Sequence, residues 1–374
     1  MFELDPGEDI TLIVDVVQRF AADILSQQYR DFEADKALPE AVLKSYAALG
    51  LSAMELPETL GGAGLGSRAK CAVLEELGYG DPGATLALDG IGPALYAIAE
   101  LGGDSALEKY ILPRLDDPAM RIALIWDAGD TRKKPTLFRA DNCYSGTVPW
   151  LPCTDVDLLV ILDKQGASII ESGFTFTPLK GSGLRAAGAA EVVLQQAPII
   201  ERWDNTAAAA RALAKWQLYI AALLVGVSRV AAETSREYAT ERIAFGKPIA
   251  HHQALAFLIV DMRTAVDSSR LLVQDAACRA DAGQAFEAAA AAAAAFVEAN
   301  ENALFVTPNA LQIFGGQGFM QDLPLEKYMR EARTLGLLAG GIDLAKEIAG
   351  QALCSTEGTV QLSALELNSQ ELAE

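Results

Sequence analysis

Arg242 and Phe245 are the residues whose type and spacing best suit contact with a ligand. The helical spacing on either side of them predicts a turn between two long helices. Gly246 would end the first helix, and Pro248 suits the first turn of the next. Side chains and free backbone N–H groups at such a turn can meet a ligand. An arginine there offers a fork of donors that fits a phosphate group.

A second pattern of this kind follows in the run ALQIFGGQGF, where Gly315 and Gly316 are adjacent. Paired glycines allow the backbone to approach a ligand closely. A metal site or a histidine-based triad is not expected, because the chain has only two histidines, His251 and His252, side by side. We expect both histidines to cap a helix or to pack.

The composition favours a cytoplasmic protein that binds neither nucleic acid nor a membrane. A net charge of −20 argues against anionic partners, since these need clustered Lys and Arg. No uncharged apolar run is long enough to span a bilayer, and the start MFELDPGED is acidic, unlike a signal or transit peptide. The five cysteines are scattered and odd in number, which predicts reduced and mostly buried thiols.

Hydrophobic periodicity divides the chain into four parts. Residues 1–118 have helical spacing, residues 119–204 carry short strand-like runs separated by turn residues, and residues 205–354 are helical again. Residues 355–374 form an acidic tail. The predicted fold class is α+β and mostly α, with an N-terminal helical domain, a small middle β-domain and a C-terminal helical domain.

Individual helices are predicted from caps, prolines and periodicity. Ser67 is expected to cap the helix that contains CAVLEELG. Other helices are predicted over Asp9–Gln27, Pro39–Gly50, Thr85–Leu101, Ser105–Leu112, Trp216–Glu241, Lys247–Ala282, Phe286–Leu311, Leu325–Leu335 and Ile342–Leu353.

Two long blocks, at matching spacing, resemble the acyl-CoA dehydrogenase family. YATERIAFGKPIAHHQ, from Tyr238, is similar to the family pattern Y-A-x-x-R-x-x-F-G-x-P-I-x-x-x-Q. ALQIFGGQGFMQDLPLEKYMREAR, from Ala310, is similar to Q-x-x-G-G-x-G-[FY] followed by P-[VL]-E-[KR]-x-x-R-[DE]-A. The resemblance implies the family's fold, in which the C-terminal helices form a four-helix bundle at the centre of an oligomer.

The resemblance also implies an FAD cofactor, one half of which this chain is equipped to bind. In the family, the matching residues reach across a subunit interface to the adenine and pyrophosphate of an FAD whose ring lies in the neighbour. The matching positions here are Arg242, Phe245, Gly246, Gln253, Gln312, Gly315 and Gly316. The alternative is that these residues only fix turn geometry and the helix interface.

The family's catalytic base is missing from both of its usual positions. Most members carry a Glu shortly after the R-[DE]-A block, and counting from Gly315 places Ala339 there. A minority carry it on the long helix before the R-x-x-F-G turn, and Trp216 occupies that position. Neither side chain can take up a proton, so we expect no catalytic residue in this chain.

The loops that face the flavin ring in the family are also altered. The family's T-E-P-x-x-G-S-D loop corresponds to the stretch from Trp126 to Arg132, which lacks the Thr, the Glu-Pro pair and the Ser. The W-I-[TS] loop corresponds to Trp150-Leu151-Pro152, and Pro152 has neither a hydroxyl nor an N–H to donate. Trp150 is either a remnant of the site or an ordinary core aromatic.

These features predict the non-base subunit of a heteromeric acyl-CoA dehydrogenase. A homologous subunit with the catalytic Glu would be its partner, as α2β2, with an acyl-CoA substrate (possibly a bulky sterol-type side chain) and electron-transfer flavoprotein as acceptor. Two alternatives are a self-sufficient flavin-dependent monooxygenase of the same fold and a non-catalytic acyl-CoA-binding or scaffold homologue. A displaced base, Asp343 or Glu233, is a further alternative.

Overall fold

The computed structural model describes residues 7–115, 117, 120–129 and 136–354. The predicted acidic tail, residues 355–374, lies outside the described residues, as does part of the loop from Trp126 to Arg132. Helices come first, then two small sheets, then helices again, and this order confirms the predicted fold class.

The N-terminal part is helical. Its helices are α1 (Glu8–Phe20), α2 (Ser26–Asp35), α3 (Glu40–Ala47), α4 (Ser67–Gly80), α5 (Pro82–Leu88), α6 (Ala94–Ala106) and α7 (Leu112–Leu115). Single π-helical turns join α1 to α2 and α6 to α7, at Ala21–Leu25 and Leu107–Ile111. The first predicted helix therefore continues well beyond Gln27.

Two predictions in this part are wrong. The helix predicted over Thr85–Leu101 is interrupted between α5 and α6, where the Asp89 carboxylate accepts a hydrogen bond from the backbone N–H of Gly92 at 3.1 Å. Ser67 is the first residue of α4 and not its cap. The carboxylate of Asp281 instead accepts from the backbone N–H groups of Ser67 and Arg68, at 2.7 and 3.0 Å. This distant carboxylate fixes the N-terminus of α4 against the C-terminal helices.

The middle part forms two four-stranded sheets. The strands are β1 (Ile122–Trp126), β2 (Leu137–Ala140), β3 (Cys143–Leu151), β4 (Leu158–Leu162), β5 (Gly166–Ile170), β6 (Phe174–Pro178), β7 (Ala190–Pro198) and β8 (Glu201–Asp204). One sheet has the order β1-β4-β5-β8, with β1 and β4 parallel, and the other has the antiparallel order β2-β3-β7-β6. A shared apolar cluster that includes Ile161, Tyr144 and Val192 holds the sheets together.

The C-terminal part consists of five helices: α8 (Thr206–Glu241), α9 (Gln253–Asp281), α10 (Ala285–Ile313), α11 (Leu325–Leu335) and α12 (Gly341–Cys354). Among the described residues, α8 is the helix that is long and apolar enough to span a membrane, but 78% of its most apolar window is buried inside the protein. It is thus the central core helix, and it packs against α4, α9 and α10.

Fewer of the thiols are buried than expected. All five cysteines are free. Cys71 and Cys153 are buried, Cys143 and Cys278 are half-buried, and Cys354 is exposed.

Candidate functional site

The turn between α8 and α9 is a tight β-hairpin. The two-residue strands Ile243–Ala244 and Lys247–Pro248 pair antiparallel around Phe245 and Gly246. Both turn residues have positive φ, +54° at Phe245 and +82° at Gly246, which is the backbone of a type I′ turn. Pro248 therefore lies in a strand and not in the first turn of α9, which corrects the prediction.

Phe245 is held in this turn at an energetic cost. A bulky side chain at positive φ is a backbone outlier that costs roughly 1–3 kcal/mol. Its ring is 95% exposed and touches His252 edge-on, with centroids 6.0 Å apart. His252 packs here, as predicted, and its Nε2 lies 3.2 Å from the carbonyl oxygen of Ala244. The turn thus presents an aromatic ring to solvent.

The second segment, Gly315–Phe319, lies beside the same end of α8. The rings of Tyr238 and Phe314 stack with centroids 4.1 Å apart and an interplanar angle of 16°. The Tyr238 hydroxyl also donates to Oε1 of Gln317 at 3.4 Å. These contacts connect the turn that carries Arg242 to the turn that carries the two glycines.

All seven residues predicted to contact the cofactor are exposed: Arg242, Phe245, Gly246, Gln253, Gln312, Gly315 and Gly316. A Cβ added at Gly315 or Gly316 would have no atom within 4 Å, so the backbone there is open to a ligand. In the part of the chain that the structure describes, no ion pair occupies the Arg242 guanidinium. We call these residues the clamp edge.

The two positions of the family's base are buried and apolar. Ala339 is fully buried, at φ +53°, and is followed by Gly340 and Gly341, which also have positive φ. Trp216 on α8 is 5% exposed and lines a small cavity with Leu338. Asp343 is exposed in the first turn of α12, and Glu233 is half-buried near Tyr79, whose pKa its carboxylate helps to raise.

The residues at the flavin-facing loops offer few donors. Pro152 and Leu151 line the same cavity as Trp216. Trp126 and Trp150 both pack against the main core, and Trp126 lies beside Gly340. Trp126 also lines a larger cavity, of about 280 Å³, between α8, α12 and the β4–β5 hairpin.

Sequence reasoning did not single out the polar residues that line these cavities, among them Gln217, Asp89 and Arg121. Gln217 lines the larger one, and its buried Nε2 has no hydrogen-bond partner among the described protein atoms. Asp89 and Arg121 line the smaller one. The sequence around these residues gave no sign that they line a cavity, because each cavity forms where segments distant in sequence pack together.

The residues present thus fit only part of an FAD. The clamp edge combines a free guanidinium, an exposed ring and open glycine backbone, which suits a pyrophosphate and an adenine. The opposite side offers proline and alanine, whose side chains cannot hydrogen-bond the polar edge of a flavin ring, and tryptophan, which has a single N–H donor and no acceptor.

Comparison with known proteins identifies the class to which this fold and site belong. Residues 7–116 match the acyl-CoA dehydrogenase N-terminal domain and residues 206–354 match the acyl-CoA dehydrogenase C-terminal domain. The chain belongs to the acyl-CoA dehydrogenase family.

Individual relatives are distant. The chain is 28% identical to the probable acyl-CoA dehydrogenase FadE25 of Mycobacterium tuberculosis over 346 residues, which cover 84% of this chain and 87% of that protein. Butyryl-CoA dehydrogenase from Megasphaera elsdenii has a similar structure, with a TM-score of 0.82 at 21% identity, covering 94% of this chain and 100% of that one. A variant of the Tcur3481-Tcur3483 steroid ACAD gives a TM-score of 0.79 at 24% identity, covering 92% and 97%.

Proposed function

We propose that this chain is the non-base subunit of a heteromeric, flavin-dependent acyl-CoA dehydrogenase. It lends the clamp edge to an FAD whose ring, with the catalytic Glu, lies in a homologous partner subunit. The observation that carries the proposal is the combination of a fully buried Ala339 at the base position with an exposed, unpaired Arg242 at the clamp edge. The assembly would be α2β2 and cytoplasmic, and electron-transfer flavoprotein would accept its electrons.

In this arrangement the bound FAD would supply the acceptor for the hydride from the β-carbon of the acyl thioester, and the partner's Glu would supply the base for the α-proton. The residues of this chain only bind and orient. Arg242 would pair with the pyrophosphate through two N–H donors, and the ring of Phe245 would cover the adenine. Gly315 and Gly316 would let the backbone N–H groups approach the phosphates.

The exposed clamp edge supports the presence of a partner. Ile243 is 65% exposed, Phe257 60% and Val260 61%, and all three lie on the hairpin or on α9. Apolar side chains grouped in this way are typical of a protein interface. The steroid ACAD among the structural neighbours makes a bulky acyl group one candidate substrate for the partner.

The proposal is tested by co-expressing this chain with a homologue that carries the Glu. We expect a heterotetramer with about one FAD per two chains, and a flavin-free protein when this chain is expressed alone. Arg242→Met should weaken the affinity of the complex for FAD at least about tenfold, because the lost hydrogen bonds are to a charged group. The FAD content of the purified complex should fall accordingly. Arg236→Met is the matched control, since Arg236 is exposed near the end of α8 and its ion pair among the described residues is with Glu237.

Phe245→Asn separates loss of function from loss of folding. Asparagine tolerates positive φ better than phenylalanine, so this variant should be at least as stable as the wild type. It should nevertheless weaken FAD binding in the complex. A lone wild-type chain that binds a full FAD and is reduced by an acyl-CoA would refute the proposal.

A further inference from the structure

The smaller cavity lies between the loop after α5, the start of β1 and the middle of α8. Its volume is about 90 Å³. Most of its walls are apolar, and they include Leu124, Leu151, Pro152, Trp216, Ile220 and Leu338. Two charged residues also line it, Asp89 and Arg121. A charge beside so small an apolar space calls for a counter-charge, either from the protein or from a ligand.

Asp89 has its partners within the protein. Its Oδ1 accepts from the backbone N–H of Gly92 at 3.1 Å. Its Oδ2 accepts from Nζ of Lys70 at 2.9 Å and from the hydroxyl of Tyr219 at 3.2 Å. Lys70 is 5% exposed and Tyr219 is 1% exposed, so this network is an internal one. The carboxylate is neutralised and needs nothing from the cavity.

Arg121 differs because its guanidinium lacks such a partner. Its backbone is fixed, since its N–H donates to Oδ2 of Asp157 and its carbonyl accepts from the N–H of Asp157, both at 2.9 Å. The half-buried guanidinium donates through Nη1 to the carbonyl oxygen of Ala87. Within the described residues, no carboxylate forms an ion pair with it, and Asp155 and Asp157 act on it only at longer range.

The other arginines with a shifted pKa are paired. Carboxylates raise the pKa of Arg30, Arg202, Arg229, Arg270 and Arg330 against the opposing effect of burial. Burial lowers the pKa of Arg121, and the distant carboxylates do not offset it. Arg121 thus carries an uncompensated desolvation penalty that a bound anion would relieve.

We propose that this cavity binds a carboxylate attached to a small apolar body, with Arg121 as the partner of the carboxylate. The planar fork of the guanidinium fits the two carboxylate oxygens. The volume limits the body, because about 90 Å³ is smaller than the ~150 Å³ cavity that holds benzene. A short aliphatic chain, as in butyrate, meets both requirements. The inference rests on the proposed function in one respect, because Leu151, Pro152 and Trp216 line this cavity and the proposed function places the flavin ring in the partner.

The carboxylate could belong to a free short-chain acid or to the far end of a dicarboxylic acyl-CoA. Calorimetric titration of the full chain with butyrate, and with succinyl-CoA against butyryl-CoA, distinguishes these sources. Saturable binding of butyrate, with a Kd of about 1 mM or tighter, indicates the free acid. Binding of succinyl-CoA at least about tenfold tighter than butyryl-CoA indicates the acyl-CoA.

Butyramide tests the charge, since it has the shape of butyrate without the anion and should bind at least about tenfold more weakly. Arg121→Gln should weaken butyrate binding by a similar factor. Arg121→Lys keeps the charge but not the planar fork of donors, so it should weaken butyrate binding by less. Arg139→Gln removes an exposed arginine on β2 and should change nothing. The inference is overturned if neither butyrate nor succinyl-CoA binds the folded wild type. Equal binding of butyramide and butyrate, or full binding by a folded Arg121→Gln variant, overturns it as well.

Discussion

Replacing Lys327 with methionine should strongly destabilise the fold. Lys327, on α11, is 1% exposed, and its Nζ donates to Oδ1 of Asp81 at 2.9 Å and to Oε1 of Glu331. Both carboxylates are fully buried, and each has a second oxygen without a hydrogen-bond partner among the described protein atoms. Asp81 also caps α5 through the N–H of Ala84 at 3.0 Å. One ammonium therefore joins the N-terminal helices to the C-terminal bundle.

The magnitude follows from what the substitution leaves behind. Removing one partner of a buried ion pair costs roughly 3–5 kcal/mol, because the remaining charge stays desolvated. Here two carboxylates would remain, but burial raises the pKa of Glu331, so Glu331 can relieve part of the repulsion by binding a proton. We therefore expect about 4 kcal/mol, or a fall in melting temperature of roughly 5 °C.

Urea unfolding followed by circular dichroism, with thermal melts in parallel, measures the loss of stability. Lys346→Met is the matched control, because Lys346 forms an exposed pair with Glu301 and its removal should leave the midpoint unchanged. Adding Glu331→Gln to Lys327→Met should restore part of the stability, since it removes one of the stranded charges. If Lys327→Met unfolds at the wild-type midpoint, the ammonium does not compensate these carboxylates and the reasoning fails.

Three further predictions follow from individual contacts. Gly226→Ala should lower the free energy of unfolding, measured in urea, by more than about 2 kcal/mol, because a Cβ there would lie 2.3 Å from the carbonyl oxygen of Glu75. Gly350→Ala is the control: a Cβ there would have no atom within 4 Å, so the variant should be more stable by up to about 1 kcal/mol. Burial raises the pKa of Glu55 to about 7, so the folded state binds this proton more tightly and stability falls as pH rises from 5 to 8; in Glu55→Gln that part of the pH dependence should vanish. In native protein, iodoacetamide should label exposed Cys354 and leave Cys71 unlabelled, which mass spectrometry can check, because burial raises the pKa of the Cys71 thiol.

Local sequence patterns predicted those helices and strands whose ends are determined by their own residues or by immediate neighbours. The helix Leu325–Leu335 has the predicted bounds, and the apolar run Ile122–Trp126 forms a strand in the part expected to carry strands. Proline before the first, and an apolar run between turns for the second, determine these ends locally. The order of helices, strands and helices was predictable for the same reason.

Contacts between distant segments account for the errors. Asp281 caps α4 from 214 residues away, so no local pattern could assign the cap to it. The break after α5 depends on Asp89, whose partner Lys70 lies on α4. The hairpin around Phe245 was missed because it lacks the Asn-Gly or Asp-Gly signature of a type I′ turn. The sequence likewise could not show that Arg121 lacks an ion pair among the described residues, because this depends on which distant segments pack around the cavity.

The clamp edge and the base positions contribute differently to the stability of the isolated chain. At the base positions, Ala339 and Trp216 are packed into the core, and their burial stabilises this chain by itself. At the clamp edge, Phe245 combines a strained backbone with a 95% exposed ring, and neither contributes to the stability of an isolated chain. Backbone strain of this kind often occurs at ligand-binding positions, where a bound molecule can offset its cost. This contrast supports the proposed role, in which the chain would complete a partner's cofactor site and would not form one of its own.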